Sequence, residues 1–248
     1  MRQNGNFLAF DTSTDTMSVA LTDGARIWHH TGPGGAKAST MLIPVILALL
    51  QDAGLALGDM QAVAFGRGPG SFTGLRTACA VAQGLAFGAN GGAGIPVLPI
   101  DTLIAVAEEA RCRMQNSDVY TNGASVSYIT ALLDARMDEM YMQRYSCTDG
   151  VLTPLGRCEL IRPEALESDK TVLYAGNVFE VYQKRLPDGI KSLACLPTAA
   201  AMLHLAPGLA ERGQCVAAHL ALPLYIRDKV AQTTQERERA KAIRLQPS

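Results

Sequence analysis

Four glycines and a proline crowd into nine residues, Gly66-Arg67-Gly68-Pro69-Gly70-Ser71-Phe72-Thr73-Gly74, and no other stretch restricts the fold as much. Glycine surrenders the most backbone freedom when ordered, and proline has no N–H to donate, so the run cannot sit inside a strand or a helix. It must be a turn. Before it, Ala62 to Phe65 is an apolar run short enough to be a buried strand; after it, helical periodicity extends to about Ala89. A strand–turn–helix joint of this kind belongs to an α/β lobe. The run matches neither G-x-x-x-x-G-K-[ST] nor G-x-G-x-x-G, and it has no lysine. Two readings stay open: an anion held by free N–H groups at the helix start, or glycines serving as scaffold geometry.

The segments around this joint read as three short strands, near Phe7 to Phe10, Met17 to Leu21 and Arg26 to His30, with Asp23-Gly24 as the second turn. A helix follows from an N-cap at Ser39 to about Asp52, with Gly54 as its stop, provided that Pro44 falls in or near the first turn. After the glycine-rich turn and its helix come a strand at Ile95 to Ile100 and a helix near Asp101 to Arg113. The order is βββαβαβ. A polar stretch from Gln115 to Ser125 reads as the passage into a second lobe, which opens with a hairpin whose arms are Val126 to Leu133 and Met140 to Tyr145. Strands near Cys158 to Ile161 and Val172 to Ala175, a helix from about Pro197 and a last helix after Pro223 complete the chain. This predicts lobes over 1–114 and 115–222, with a helix over 223–240 returning to the first lobe.

With 248 residues, 48% hydrophobic and 18% charged, the chain can bury a full core without metals or disulfides to hold it. The six cysteines include no CxxC pair, and a reduced state is expected. Neither a secretory leader nor an apolar run of about 18 residues is evident, so a cytoplasmic protein with no membrane association is expected. A net charge of −1 argues against direct nucleic-acid binding, and the alternating Glu236-Arg237-Glu238-Arg239 reads as a solvated helix face.

Chemistry-bearing residues are few. Asp11-Thr12-Ser13 closes the first strand; it reads either as a phosphate and magnesium site or as a hydroxyl-rich turn capping its own backbone. Ser71 lies in no nucleophile elbow. Asp134, Asp138 and Glu139 at the hairpin tip read as solvated rather than as an acid/base set, and His204 and His219 stand alone in the sequence. No catalytic residue and no metal ligand is assigned.

Phe10-Asp11-Thr12-Ser13-Thr14, the run from Gly66 through Gly74-Leu75-Arg76, the tip Asp134-Ala135-Arg136-Met137-Asp138-Glu139 and Pro223-Leu224-Tyr225-Ile226-Arg227 together resemble the TsaB family of bacterial tRNA threonylcarbamoyladenosine biosynthesis proteins. The resemblance implies a two-lobed α/β actin-like ATPase fold, shared with sugar kinases and with the catalytic relative TsaD. It also implies a non-catalytic subunit that pairs with TsaD, a TsaE-type ATPase joining the complex, homodimer formation when alone, tRNA met only through the complex, and no cofactor beyond ATP or ADP within the complex. In TsaD a pair of metal-binding histidines stands where this chain has Pro99 and Leu103. Other classes kept open are an active ATPase or small-molecule kinase of the same fold, and a metallopeptidase.

Two helices stand out as surfaces. Met41 to Leu50 is apolar on nearly every side, more than one sheet face can cover, which predicts a partner over the stripe Met41, Val45 and Leu49. Ala80, Gly84 and Gly88 recur at four-residue spacing although interior glycine costs a helix roughly 1 kcal/mol. They read either as close packing inside the lobe or, as the resemblance implies, as the same interface, with Phe72 and Arg76 at the head of that helix.

Overall fold

A computed structural model describes residues 5–115 and 127–227 of the chain. Two five-stranded mixed sheets form its two lobes. In the first, β1 (Phe7–Asp11), β2 (Thr16–Thr22) and β3 (Ile27–Pro33) make an antiparallel meander. To its β1 edge are added, in parallel, β4 (Ala62–Gly68) and β5 (Val97–Asp101). The second sheet repeats the scheme with β6 (Tyr128–Asp134), β7 (Met140–Thr148) and β8 (Val151–Ile161) as the meander, and β9 (Val172–Gly176) and β10 (Lys191–Ala194) as the parallel additions. Hence the β1–β2 turn and the β6–β7 turn occupy equivalent places in the two lobes. This is the two-lobed actin-like arrangement.

Alternation explains why the central strands are apolar throughout. Leu8 and Phe10 of β1, with Val63 and Phe65 of β4, point to one face; Phe7, Ala9, Ala62 and Ala64 point to the other. Both faces are covered, so both parities must be apolar. Helices α1 (Ala38–Ala53) and α2 (Phe72–Gly88) cover the first face. The second face is covered chiefly by α4 (Ala199–Glu211), through Ala199, Met202, Leu203, Ala206 and Leu209. The sequence reading placed that segment with the second lobe; its apolar stripe instead completes the first. Helix α3 (Thr102–Gln115) lies between the sheets, with Ala105 in the first core and Val106, Ala110 and Met114 against β6 and β7 in the second.

Helix α1 starts at Ala38, directly after a short 3-10 turn, Gly35–Lys37. Ser39 is therefore not its N-cap, and the hydroxyl of Ser39 donates back to the carbonyl of Ala36 (2.8 Å). Pro44 falls in the second turn and leaves the Thr40 carbonyl without its helical donor. Gly54 ends the helix as expected, in the left-handed region (φ 67°), with its N–H on the Gln51 and Leu50 carbonyls. By length and mean hydropathy Gly35–Ala53 would suffice to cross a membrane, contrary to the sequence reading; its inner side is locked into the sheet by Leu42, Val45, Ile46, Leu49 and Leu50. Residues 223–227 carry no helix. The passage between lobes beyond Gln115, the charged run 236–239 and the rest of the expected last helix lie outside the described residues.

Candidate functional site

The four motifs that carry the resemblance, far apart in the chain, converge on one cavity of about 340 Å³ between the lobes. Ser13 to Asp15 and Gly70 to Phe72 form its first-lobe wall, residues 133–137 its second-lobe wall, and 224–227 cross between them. Such a volume is in the range of a small-ligand site. Its wall residues decide what it can do.

On the first-lobe side the Asp-Thr-Ser turn is already occupied by the protein. Asp11 and Thr12 are fully buried and Ser13 nearly so. Asp11 Oδ1 accepts from the Ser13 N–H (2.8 Å) and the Ser13 hydroxyl (2.6 Å), while the Thr12 hydroxyl donates to the Gly74 carbonyl (2.7 Å). The glycines stand directly on this turn. A Cβ on Gly74 would lie 1.8 Å from the Thr12 carbonyl oxygen, one on Gly70 2.6 Å from the Ser13 carbonyl, and one on Gly66 1.8 Å from Asp11 Oδ2. The N–H of Ser71 donates to the Ser13 carbonyl (2.7 Å), and the Ser71 side chain caps α2. The glycine-rich turn thus packs directly on the self-capped Asp11-Thr12-Ser13 turn, and both line the same cavity. Burial raises the Asp11 carboxyl to about 6, the Ser13 hydrogen bonds offsetting part of the rise. Asp11 Oδ2 has no hydrogen-bond partner among the described residues, and the Thr102 hydroxyl lies nearby but outside bonding geometry.

The second-lobe wall is a bonded network in which Asp138 stays exposed, as expected from the sequence, while Asp134 is largely buried. Asp134 accepts from the Tyr182 hydroxyl (2.7 Å) and the Arg136 N–H (2.9 Å), and its own N–H is held by Asn177 (2.8 Å). The Arg136 guanidinium spans Asp134 of one lobe and Asp15 of the other (3.3 and 2.8 Å). Asp138 pairs with Arg185 (2.8 Å), and Glu139 with Arg227. Each of these three carboxylates therefore has a cationic or hydroxyl partner.

Residues 224–227 form a strap over this cavity. The Leu224 N–H donates to the Arg67 carbonyl (2.7 Å), Tyr225 packs on Phe72 with ring centroids 5.4 Å apart, and Arg227 reaches the β6–β7 tip. Arg76 lies 3.8 Å over the Phe72 ring and donates to the Tyr225 hydroxyl (3.1 Å). Phe72 and Arg76, read as partner contacts, are thus already tied to the strap, with Phe72 still 40% exposed. A second cavity, about 490 Å³, opens between Thr16 and Ser18 of β2 and Gly176, Asn177 and Thr198.

The predicted surface is partly in place. Val45 and Leu49 are buried in the first core rather than offered to a partner; Met41 is exposed, as are Ile43 and Leu47. The stripe drifts because each four-residue step turns the helix about 40° past a full circle, so Met41 to Leu49 rotates about 80°. The pattern Leu42, Val45, Ile46, Leu49, Leu50 was the signal for the inner face. On α2, Ala80, Gly84 and Gly88 all face outward, beside Phe87 at 73% exposure. A Cβ on Gly84 or Gly88 would meet nothing within 4 Å, which removes the reading that these glycines admit a neighbouring helix of their own lobe. Leu103, where the resemblance sets a TsaD metal ligand, is a core residue, and His204 is not alone: Glu108 and Cys112 lie beside it.

A family model described as TsaD: tRNA N6-adenosine threonylcarbamoyltransferase matches residues 33–171. The chain is 33% identical over 241 residues to the tRNA threonylcarbamoyladenosine biosynthesis protein TsaB of Haemophilus influenzae, covering 92% of this chain and 96% of that protein. It is 31% identical over 241 residues to the protein of the same name from Escherichia coli, covering 90% and 95%. Among solved structures it is similar to YeaZ from Pseudomonas aeruginosa, with a TM-score of 0.76 and 35% identity over 90% of this chain and all of the other.

Proposed function

The chain belongs to the TsaB family of tRNA threonylcarbamoyladenosine biosynthesis proteins, and on that premise we propose that it is a non-catalytic subunit that pairs with a TsaD-type transferase through the outer faces of α1 and α2. The observation that carries this reading is Gly84, which has open space where a side chain would stand, in the interior of a helix that also presents Phe87; Gly88 ends that helix. Interior glycines weaken a helix without benefit unless something approaches closely. Met41, Ile43 and Leu47 on α1 add exposed apolar surface of the kind that marks interaction sites.

The reading as a non-enzyme rests on the buried Asp11-Thr12-Ser13 turn, whose Asp11 Oδ1 and Thr12 hydroxyl are bonded within the protein, and on the paired tip carboxylates. No cofactor is assigned to the chain itself; ATP or ADP belongs to the assembled complex. With a net charge of −1, tRNA is met through the partner. A TsaE-type ATPase joins the assembled pair, and in the absence of TsaD the same face takes a second copy of the chain.

Mixing the full chain with the TsaD-type protein of the same organism, followed by size exclusion with light scattering, tests the pairing. A stable complex is expected, weakened by Leu47→Asp, and tRNA modification should appear only in the mixture. Turnover by the chain alone, or tight magnesium-dependent ATP binding by calorimetry, would instead support an active ATPase or kinase.

A further inference from the structure

Glu108 and Cys112 stand one turn apart on α3, and His204 comes to them from α4. Their donor atoms form a small triangle: Cys112 Sγ to His204 Nδ1 3.1 Å, Cys112 Sγ to Glu108 Oε1 3.4 Å, His204 Nδ1 to Glu108 Oε1 3.6 Å. Zinc bonds of about 2.0–2.3 Å at tetrahedral angles place ligand atoms about 3.3–3.6 Å apart. We propose that Glu108, Cys112 and His204 form a zinc-type metal site that clamps α3 to α4.

The donor set narrows the ion. One thiolate, one imidazole and one carboxylate oxygen suit a borderline-soft divalent cation, whereas calcium and magnesium require more oxygen ligands. Three protein ligands leave a fourth position, and this one faces solvent, because His204 is exposed and Cys112 only half-buried. Glu108, by contrast, is buried. Arg111 lies at the cluster itself, its Nε donating to Oε2 at 2.7 Å and its Nη2 to both Oε1 and Cys112 Sγ (3.5 Å). A ligating carboxylate is ordinarily fixed by such an outer hydrogen bond; on metal binding Nε keeps Oε2 and Oε1 turns to the ion. The location has a mechanical consequence. Helix α3 packs on the second sheet and α4 on the first, so an ion joining the helices couples the two lobes, well away from the outer face of α1 and α2. The competing account is a metal-free cluster in which thiol, imidazole and carboxylate satisfy one another.

Cobalt(II) titration of the reduced, chelator-treated full chain separates the two. One equivalent should bind with a thiolate-to-cobalt charge-transfer band and the intense visible bands of four-coordination, and zinc should displace it. Cys112→Ser should abolish the charge-transfer band. It should also weaken zinc by more than the roughly 10–100-fold that losing an outer partner costs, with His204→Ala similar and Cys215→Ser unchanged. Zinc should raise the melting temperature of the parent chain and not that of either variant. Absence of cobalt binding in the parent chain, a spectrum without the thiolate band, or unaltered affinity in Cys112→Ser would overturn the site.

Discussion

Gly74 and Gly84 sit ten residues apart on α2, and the structure gives substitutions there opposite consequences. At Gly84 an added Cβ meets nothing within 4 Å, so Gly84→Leu adds no internal clash. It gains helix propensity of about 0.8 kcal/mol, which in a chain of this size corresponds to about 2–3 °C in Tm. The same leucine stands where a partner helix must approach. Overpacking an interface by one such side chain costs about 1–3 kcal/mol, or roughly 5- to 150-fold in Kd. At Gly74 the added Cβ would lie 1.8 Å from the Thr12 carbonyl oxygen, a backbone atom of the buried turn directly after β1. Gly74→Ala must push the glycine-rich turn off the Asp11-Thr12-Ser13 turn, at a cost of about 3 kcal/mol or more, and Tm should fall by several degrees. Calorimetric melting of each variant and titration of each into the TsaD-type partner supply the two readings. A Gly84→Leu chain that melts lower than the parent would show that Gly84 serves the internal packing. One that melts higher yet binds with unchanged affinity would show that the partner docks elsewhere. Either result refutes the assignment of this face.

The helix phase of α1 can be checked in the same way: Val45→Asp should unfold the first lobe, losing about 3 kcal/mol or more by burying a charge, whereas Leu47→Asp should leave urea stability within about 0.5 kcal/mol and weaken pairing. Asp11 gives a pH signature. Its folded carboxyl titrates near 6 against an ordinary 3.8, so between those values the folded chain holds a proton that the unfolded chain has released. Stability therefore declines as pH rises through that window, by about 3 kcal/mol in all. Asp11→Asn keeps an acceptor for Ser13, and in urea titrations from pH 4 to 7.5 it should flatten the decline and be no less stable than the parent at pH 7.5. A loss above about 1 kcal/mol there would show that the charge itself is needed. Tyr225→Ala removes the ring on Phe72 and the acceptor of Arg76; a loss of about 1–2 kcal/mol with faster proteolysis near the strap is expected, and unchanged stability would mean that the strap contributes no hold on the cavity.

What the sequence determined by itself is local. The αL stop at Gly54 and apolar runs such as Ala62 to Phe65 are dictated by the backbone freedom of a few residues and by burial on one or two faces; the stop stands where it was read, but β4 runs on to Gly68 and α2 begins at Phe72, so only residues 69–71 of the glycine-rich run form the turn. The α/β class followed from the order of the elements, and the two-lobed actin-like form from the resemblance of the motifs. Phase and partnership did not. Whether Val45 and Leu49 face the sheet or a partner depends on about 80° of helix rotation, and in a helix apolar on all sides only the position of the sheet selects the inner face. What lies against Asp11-Thr12-Ser13 is Gly70 and Gly74, brought there by the parallel pairing of β1 with β4. The placement of α4 on the first sheet, and with it the meeting of His204 with Cys112 across a sequence separation of 92, leaves no periodic trace at all. Spacing along a chain records only neighbours within a few residues; contacts between elements are set by which apolar faces find cover, and that is decided when all of them pack at once.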